Sequence, residues 1–166
     1  RFGPAMQLKN QVEWALHCCA ILAGAPGGGR LSAKDLAELH GVPKEYLSKA
    51  LQALSQAGIV EGALGPAGGY RLARAPEKVT FLDIVEAVEG EGPRFVCTEI
   101  RRNNPCRPAG LCDDRPCAIA RVMWAADRAW RDSLNGTTLA DLARTLEKDI
   151  PAALRRKTAE WVMARS

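Results

Sequence analysis

Apolar positions recur at Val12, Leu16, Cys19, Ala20 and Ala23, the spacing of one helical face, and predict a first helix over Leu8 to Ala23. The run from Gly24 to Gly29 ends it, because that stretch has more backbone freedom than a helix tolerates. Ser32 is placed to cap a second helix, with Asp35 at its third position as a reciprocal partner and Leu36 and Leu39 on its buried side. His40-Gly41-Val42-Pro43 then reads as a tight break: Gly41 is free to take positive φ, and Pro43 is preset for a first helical turn. From Lys44 to Ala57, Leu47, Ala50, Leu51 and Leu54 form an inward stripe, leaving Lys44, Glu45, Ser48, Lys49, Gln52 and Gln56 outward. Two short helices joined by a glycine-containing turn, the second with free hydrogen-bonding side chains, outline a helix-turn-helix.

The period then changes. Ile59-Val60-Glu61 and Tyr70-Arg71-Leu72 are short strand patterns around the turn Gly65-Pro66-Ala67-Gly68-Gly69, which makes a β wing. A glycine-rich tip lets backbone N–H groups approach phosphates, and Arg71, Arg74 and Lys78 place positive charge nearby. Thr80 and Asp83 cap a further helix that buries Ile84, Val85 and Val88 and stops at Gly90-Glu91-Gly92-Pro93. Beyond a cysteine-rich stretch, Ile119, Val122, Met123, Ala126 and Trp130 keep helical rhythm and form a stripe that calls for a partner. Thr137-Thr138 opens another helix, and the tail from Pro151 is basic, with Trp161 as an anchor. The expected fold is mainly α with a small β wing: a winged helix-turn-helix at residues 6–92, a cysteine-rich loop at 93–117, and a long dimerisation helix with a helical tail at 118–166.

Composition narrows the class. An apolar fraction of 47% suffices for a core, and a net charge of +4 is mild, so a polyanion is favoured only where charge is gathered. No apolar run approaches the roughly 20 residues of a membrane span, and no signal-peptide order opens the chain, so a cytoplasmic protein without a membrane partner is expected. Arg1 to Ala5 read as a vector or processing remnant ahead of Met6. No serine or cysteine has a convincing base and orienting group, so an enzyme is not expected.

The chemistry is concentrated in cysteine. Cys97, Cys106, Cys112 and Cys117 fall in a stretch whose Pro105, Pro108, Gly110 and Pro116 forbid a continuous helix, and thiolates on such a loop can converge on a soft metal or an iron-sulfur cluster. The spacing lacks the Cys-x2-Cys hook of standard zinc sites; free thiols, a regulatory disulfide and zinc stay open as alternatives. Glu13 and His17 stand four apart on one helical face, a geometry that suits chelation but also suits a solvated carboxylate beside a hydrogen-bonded histidine. Cys18 and Cys19 read as packing residues, and His40 as a structural residue or phosphate contact.

The stretch from Leu31 to Gly90, with its GPAGGYRLAR wing and TFLDIVEAVEG helix, resembles the Rrf2 family of winged-helix regulators, whose branches include the IscR, NsrR and RsrR types. The resemblance implies a homodimer on double-stranded operator DNA, with the recognition helix in the major groove and the wing at the minor groove. The IscR and NsrR types usually carry three closely spaced cysteines, whereas VEWALHCC, FVCTEI and PCAIARVM are similar to the RsrR type, which holds a [2Fe-2S] cluster. By that resemblance Cys97 and Cys117 of one chain and Glu13 and His17 of its partner are the ligands. Cys106 and Cys112 stay open as spare thiols, alternative ligands or traps.

Expected DNA-binding residues are Lys44, Tyr46, Ser48, Lys49 and Gln52 of the recognition helix and Gly68, Gly69 and Arg71 of the wing. Trp14, beside Glu13, is the expected signal-coupling residue. The rival expectation is a cluster-free repressor of the same family, controlled by thiol oxidation or by a docking metabolic enzyme.

Overall fold

The first helix starts without a side-chain cap; instead the backbone N–H of Lys9 donates to Glu89 at 2.6 Å, tying the helix start to the end of a later helix. A computed structural model describes residues 9–166, so the expected remnant at Arg1 to Ala5, Met6 and the expected helix start at Leu8 lie outside the described residues. The elements are α1 (Asn10–Ala23), α2 (Ala33–His40), α3 (Lys44–Gln56), β1 (Val60–Ala63), β2 (Gly69–Leu72), α4 (Phe81–Glu89), α5 (Ala118–Asn135), α6 (Leu139–Asp149) and α7 (Ala152–Met163). This is the expected mainly helical fold with a small wing.

Local chemistry sets the boundaries. Ser32 accepts the Asp35 N–H at the start of α2, and Gly41 ends that helix at φ 62°, a conformation costly for any residue with a Cβ. Pro43 sits one residue ahead of α3, still extended at ψ 126°, rather than inside the first turn. The buried side of α2 is Leu36 and Ala37; Leu39 stays half-buried at the rim, as does Val88 in α4. Thr80 and Thr138 each close a full capping box, with Asp83 and Asp141 respectively. The two boxes lie side by side, because Phe81 N–H donates to the Thr137 carbonyl and Leu139 N–H to the Val79 carbonyl.

β1 and β2 pair antiparallel, with Val60 opposite Leu72 and Ala63 opposite Gly69. Leu31 adds a one-residue bridge to Tyr70, which ties the wing to the approach of α2. The core under this frame joins Leu22, Leu31, Leu36, Leu47, Leu51 and Leu54 with Ile59 and Ile84. Each such side chain contributes about 1.5–3 kcal/mol by leaving water. Leu139 of α6 and Val162 of α7 join the same cluster, so the C-terminal helices return onto the winged helix. At the end of α7, the Arg165 guanidinium stacks on Trp161 and reaches Asp35 and Glu38 of α2.

Candidate functional site

Two surfaces carry the expected chemistry. The first is the outward face of α3. Its buried residues Leu47, Ala50, Leu51 and Leu54 hold the helix to the core, which leaves Lys44, Tyr46, Lys49 and Gln52 exposed and Ser48 half-buried. The Lys49 ammonium lies 5.7 Å from the centre of the Tyr46 ring, so a cation and an aromatic ring share one patch. A cleft of about 580 Å³ separates this face from the wing and is lined by Lys34, Lys44, Gln52, Gln56, Gly69 and Tyr70.

The wing glycines have a reason of their own. Gly69 takes φ 118°, and a Cβ there would stand 2.6 Å from the Leu31 carbonyl oxygen; a Cβ on Gly68 would run into the carbonyl oxygens of Ala63 and Gly65. Close backbone packing demands glycine at both places before any phosphate arrives. Arg71 is held by Glu61, whose carboxylate also receives Arg30 at 3.3 Å, so Arg71 presents its charge from a fixed position. Those contacts, with hydrogen bonds from Arg71 leading, hold the Glu61 carboxyl below its ordinary pKa. Arg30, which also donates to the Gly69 carbonyl at 3.2 Å, is not legible in the sequence as a wing brace because it precedes the paired strand by more than 30 residues.

The second surface is divided between α1 and the cysteine loop. Glu13 and His17 are both exposed on α1 and line a cleft of about 450 Å³ with Val12, Leu16, Phe81, Leu142 and Leu146. Trp14 is half-buried and packs against the core. The His17 ring lies 5.7 Å, centroid to centroid, from His40 at the end of α2. Burial, and then the neighbouring His17, lower the His40 pKa. Cys18 and Cys19 face the core as expected of small hydrophobes; burial pushes the Cys18 thiol up to about 12 and the Cys19 thiol higher still.

In the loop, Cys97 and Cys117 are half-buried while Cys106 and Cys112 are exposed. The Cys97 thiol donates to Glu99 at 3.6 Å, and Glu99 accepts from Arg101 at 2.6 Å. Cys117 stands at the N-cap of α5, where the nearby Ala120 and Ile119 backbone N–H groups lower its pKa, with Arg101 adding to the effect. The same arginine thus serves both half-buried thiols. Among the described residues, no three His, Cys, Asp or Glu side chains of the single chain converge on a metal position. Glu13 and His17 thus line one cleft beside α1, while Arg101 links the segment of Cys97, through Glu99, to the Arg115 carbonyl near Cys117.

α5 carries the apolar stripe that the sequence predicts. Ile119 and Val122 are 68% exposed and Met123 is 42% exposed, while only Ala120 of that helix is buried. Among the described residues, no helix is long and apolar enough to cross a membrane.

Comparison with known proteins bears on these surfaces. Residues 8–145 match the Rrf2 family model, described as an iron-dependent transcriptional regulator. The chain is 36% identical to protein rrf2 of Nitratidesulfovibrio vulgaris over 140 residues, covering 84% of this chain and 88% of that protein. It is 30% identical to the HTH-type transcriptional regulator NsrR of Bacillus subtilis, covering 92% and 99%. Among solved structures it is similar to IscR of T. potens, with TM-score 0.66 and 25% identity over 89% of this chain and 93% of that one. It is also similar to CymR, the global cysteine regulator of B. subtilis, with TM-score 0.64 and 26% identity over 85% and 98%. The family description and the NsrR and CymR names are those of regulators.

Proposed function

The chain belongs to the Rrf2 family of winged-helix transcriptional regulators, and on that basis we propose that it is an operator-binding homodimer, most plainly a repressor, whose subunit interface holds an iron-sulfur centre of the [2Fe-2S] kind as its sensor. The observation that carries this reading is the pairing of donors: two half-buried thiols under one arginine, and a carboxylate with an imidazole on another face. Two thiolates, one imidazole and one carboxylate suit iron with bound sulfide, and a second copy of the chain would bring its own carboxylate and imidazole to the first copy's thiols. Cys97 and Cys117 would hold it from one subunit and Glu13 and His17 from the other. When bound, the centre would supply a reversible one-electron couple, raised in potential by its neutral imidazole ligand relative to all-cysteine ligation.

The chain's own residues connect that interface to DNA. His17 lies against His40, and His40 is followed by Gly41, whose left-handed turn sets the direction of α3. A displacement of α1 is therefore passed to the recognition helix through one ring pair and one turn. Trp14, packed against the core beside Glu13, has to move with it. Coupling of this kind typically amounts to about 1–3 kcal/mol. Trp14→Ala should leave DNA affinity nearly equal in the oxidised and reduced protein; a full redox response in that variant contradicts its role.

On DNA, Lys44, Tyr46, Ser48, Lys49 and Gln52 face the major groove, and Gly68, Gly69 and Arg71 place the wing against the backbone. The test of the sensor is an anaerobic absorption and circular dichroism spectrum with iron and sulfide counts on the parent and on Glu13→Ala, His17→Ala, Cys97→Ala and Cys117→Ala. Equal iron and sulfide, with the spectrum altered or lost in all four variants, is the expected result. A spectrum indifferent to Glu13 and His17 but dependent on Cys106 or Cys112 would overturn the ligand set.

One observation favours a second reading. Cys106 and Cys112 are exposed, and the fold is also that of a cysteine regulator, which suits a cluster-free repressor controlled by thiol oxidation or by a docked enzyme. Protein that stays colourless after anaerobic reconstitution, with DNA binding unchanged, would select it.

A further inference from the structure

The cysteine loop has almost no apolar core, yet it is folded around a charge. The Asp113 carboxylate is only 9% exposed and receives Arg107 at 2.9 Å, Arg102 at 3.3 Å and Arg101 at 3.6 Å. Burial alone would raise its pKa, but the Arg107 and Arg102 hydrogen bonds and the Arg101 charge outweigh that and hold it below the ordinary carboxylate value. A half-buried carboxylate is best satisfied by such partners, so the hub fixes where the three guanidinium groups sit.

Arg101 is the member that faces the thiols. Its Nε donates to Glu99 at 2.6 Å, and the other oxygen of Glu99 accepts from the Cys97 thiol. Its terminal nitrogen donates to the Arg115 carbonyl at 2.8 Å, two residues before Cys117. One planar fork therefore clamps the chain arm bearing Cys97 to the arm bearing Cys117, across 20 residues of sequence, a geometry an ammonium cannot reproduce. Glu99 reaches this position at φ 54°, the single positive φ outside glycine among the described residues, which marks the site as held against a local preference. Three guanidinium groups against the two carboxylates of Glu99 and Asp113 leave the hub positive.

We infer that Arg101, aimed by Asp113, is a positioning residue that holds Cys97 and Cys117 together before any cluster is bound and keeps positive charge beside the cysteine-ligated iron afterwards. This rests on the ligand set proposed above for its second half only. A positive charge fixed near the sulfurs stabilises the reduced, more negative state, so it raises the reduction potential.

The experiment uses the full chain with Cys106→Ser and Cys112→Ser, Cys18 and Cys19 being buried, and compares Arg101, Arg101→Gln, Arg101→Lys and Asp113→Asn. In cluster-free protein under anaerobic conditions, the rate at which dibromobimane cross-links Cys97 to Cys117 reports their proximity. Arg101→Gln and Asp113→Asn should slow it on the order of tenfold, as the effective concentration of one thiol at the other falls, with helical circular dichroism unchanged. Arg101→Lys should slow it too, since the fork is lost. In loaded protein the reduction potential should fall in Arg101→Gln and recover in Arg101→Lys, which keeps the charge; a structural brace alone would not give that split. An unchanged cross-linking rate in both Arg101→Gln and Asp113→Asn overturns the inference, and an unchanged potential in Arg101→Gln overturns its electrostatic half. Iron that persists in Cys97→Ala and Cys117→Ala overturns the ligand set instead, and the cross-linking rates keep their meaning without it.

Discussion

The winged helix and the cysteine arm are held by different forces. Of the buried apolar residues among those described, 18 lie between Val12 and Val85, whereas from Pro93 to Asn135 there is only Ala120. The first region is secured by leucine and isoleucine packing, which is dense and needs no partner. The second is secured by the Asp113 hub and by Arg94 stacked on Trp130, while Ile119, Val122 and Met123 face solvent. A DNA reader has to keep one shape, and its hydrophobic core provides that. On the proposed reading, the cysteine arm has to respond, and a partner or a bound group would complete it.

Substitutions on the two sides should separate them. Leu51→Ala, at a side chain with no exposure in the reading helix, should lower stability by about 2–5 kcal/mol, read as an early urea midpoint; a loss below about 1 kcal/mol would mean the winged helix is not the rigid half. If α5 pairs two subunits as proposed, Val122→Asp should leave that unfolding nearly unchanged but shift sedimentation from dimer to monomer, because it charges an exposed apolar face rather than a core. A variant that stays dimeric removes α5 from the interface. Lys49→Ala should weaken binding to all DNA sequences and reduce the slope of log affinity against log salt by about one, as for a single lost phosphate contact. A slope equal to the parent's would move that contact elsewhere on α3.

The smallest effect is one of acidity. Glu99 is held below its ordinary pKa first by the Arg101 hydrogen bond, and Asp113 by its arginines against the effect of burial. Carboxyls depressed in the folded state stabilise it fully above the ordinary carboxylate range, near pH 4, and lose that contribution as pH falls through their lowered values. The amide signals of residues 97–117 should therefore broaden on acidification before those of α3 do. Simultaneous broadening would make the two regions one cooperative unit.

The difference between the regions also explains what is legible in the sequence. Helix faces and caps are local, so the inward stripe of α3, the capping boxes at Thr80 and Thr138 and the left-handed Gly41 follow from spacing. Spacing misplaces Leu39 and Pro43 by one step each, because helix rims and caps turn on a single residue of backbone geometry. The proposed donors Cys97, Cys117, Glu13 and His17 are visible as residue types and through family resemblance. Their supporting contacts are not: Arg101 to Arg115, Arg30 to the wing, and His17 to His40 join positions 14 to 39 apart with no period to announce them. The arginine-rich run with its two aspartates, from Arg101 to Arg115, is the available clue to the hub.

If each site is shared between two copies of the chain, two defective chains should complement one another. Co-producing a chain carrying Glu13→Ala and His17→Ala with a chain carrying Cys97→Ala and Cys117→Ala tests this directly. Each parent homodimer should be colourless, and the mixture should regain about a quarter of the wild-type iron and visible absorbance, since half of randomly paired two-fold dimers have one complete site of two. A mixture as colourless as its parents, or a cluster retained by either homodimer, would contradict a centre built across the interface.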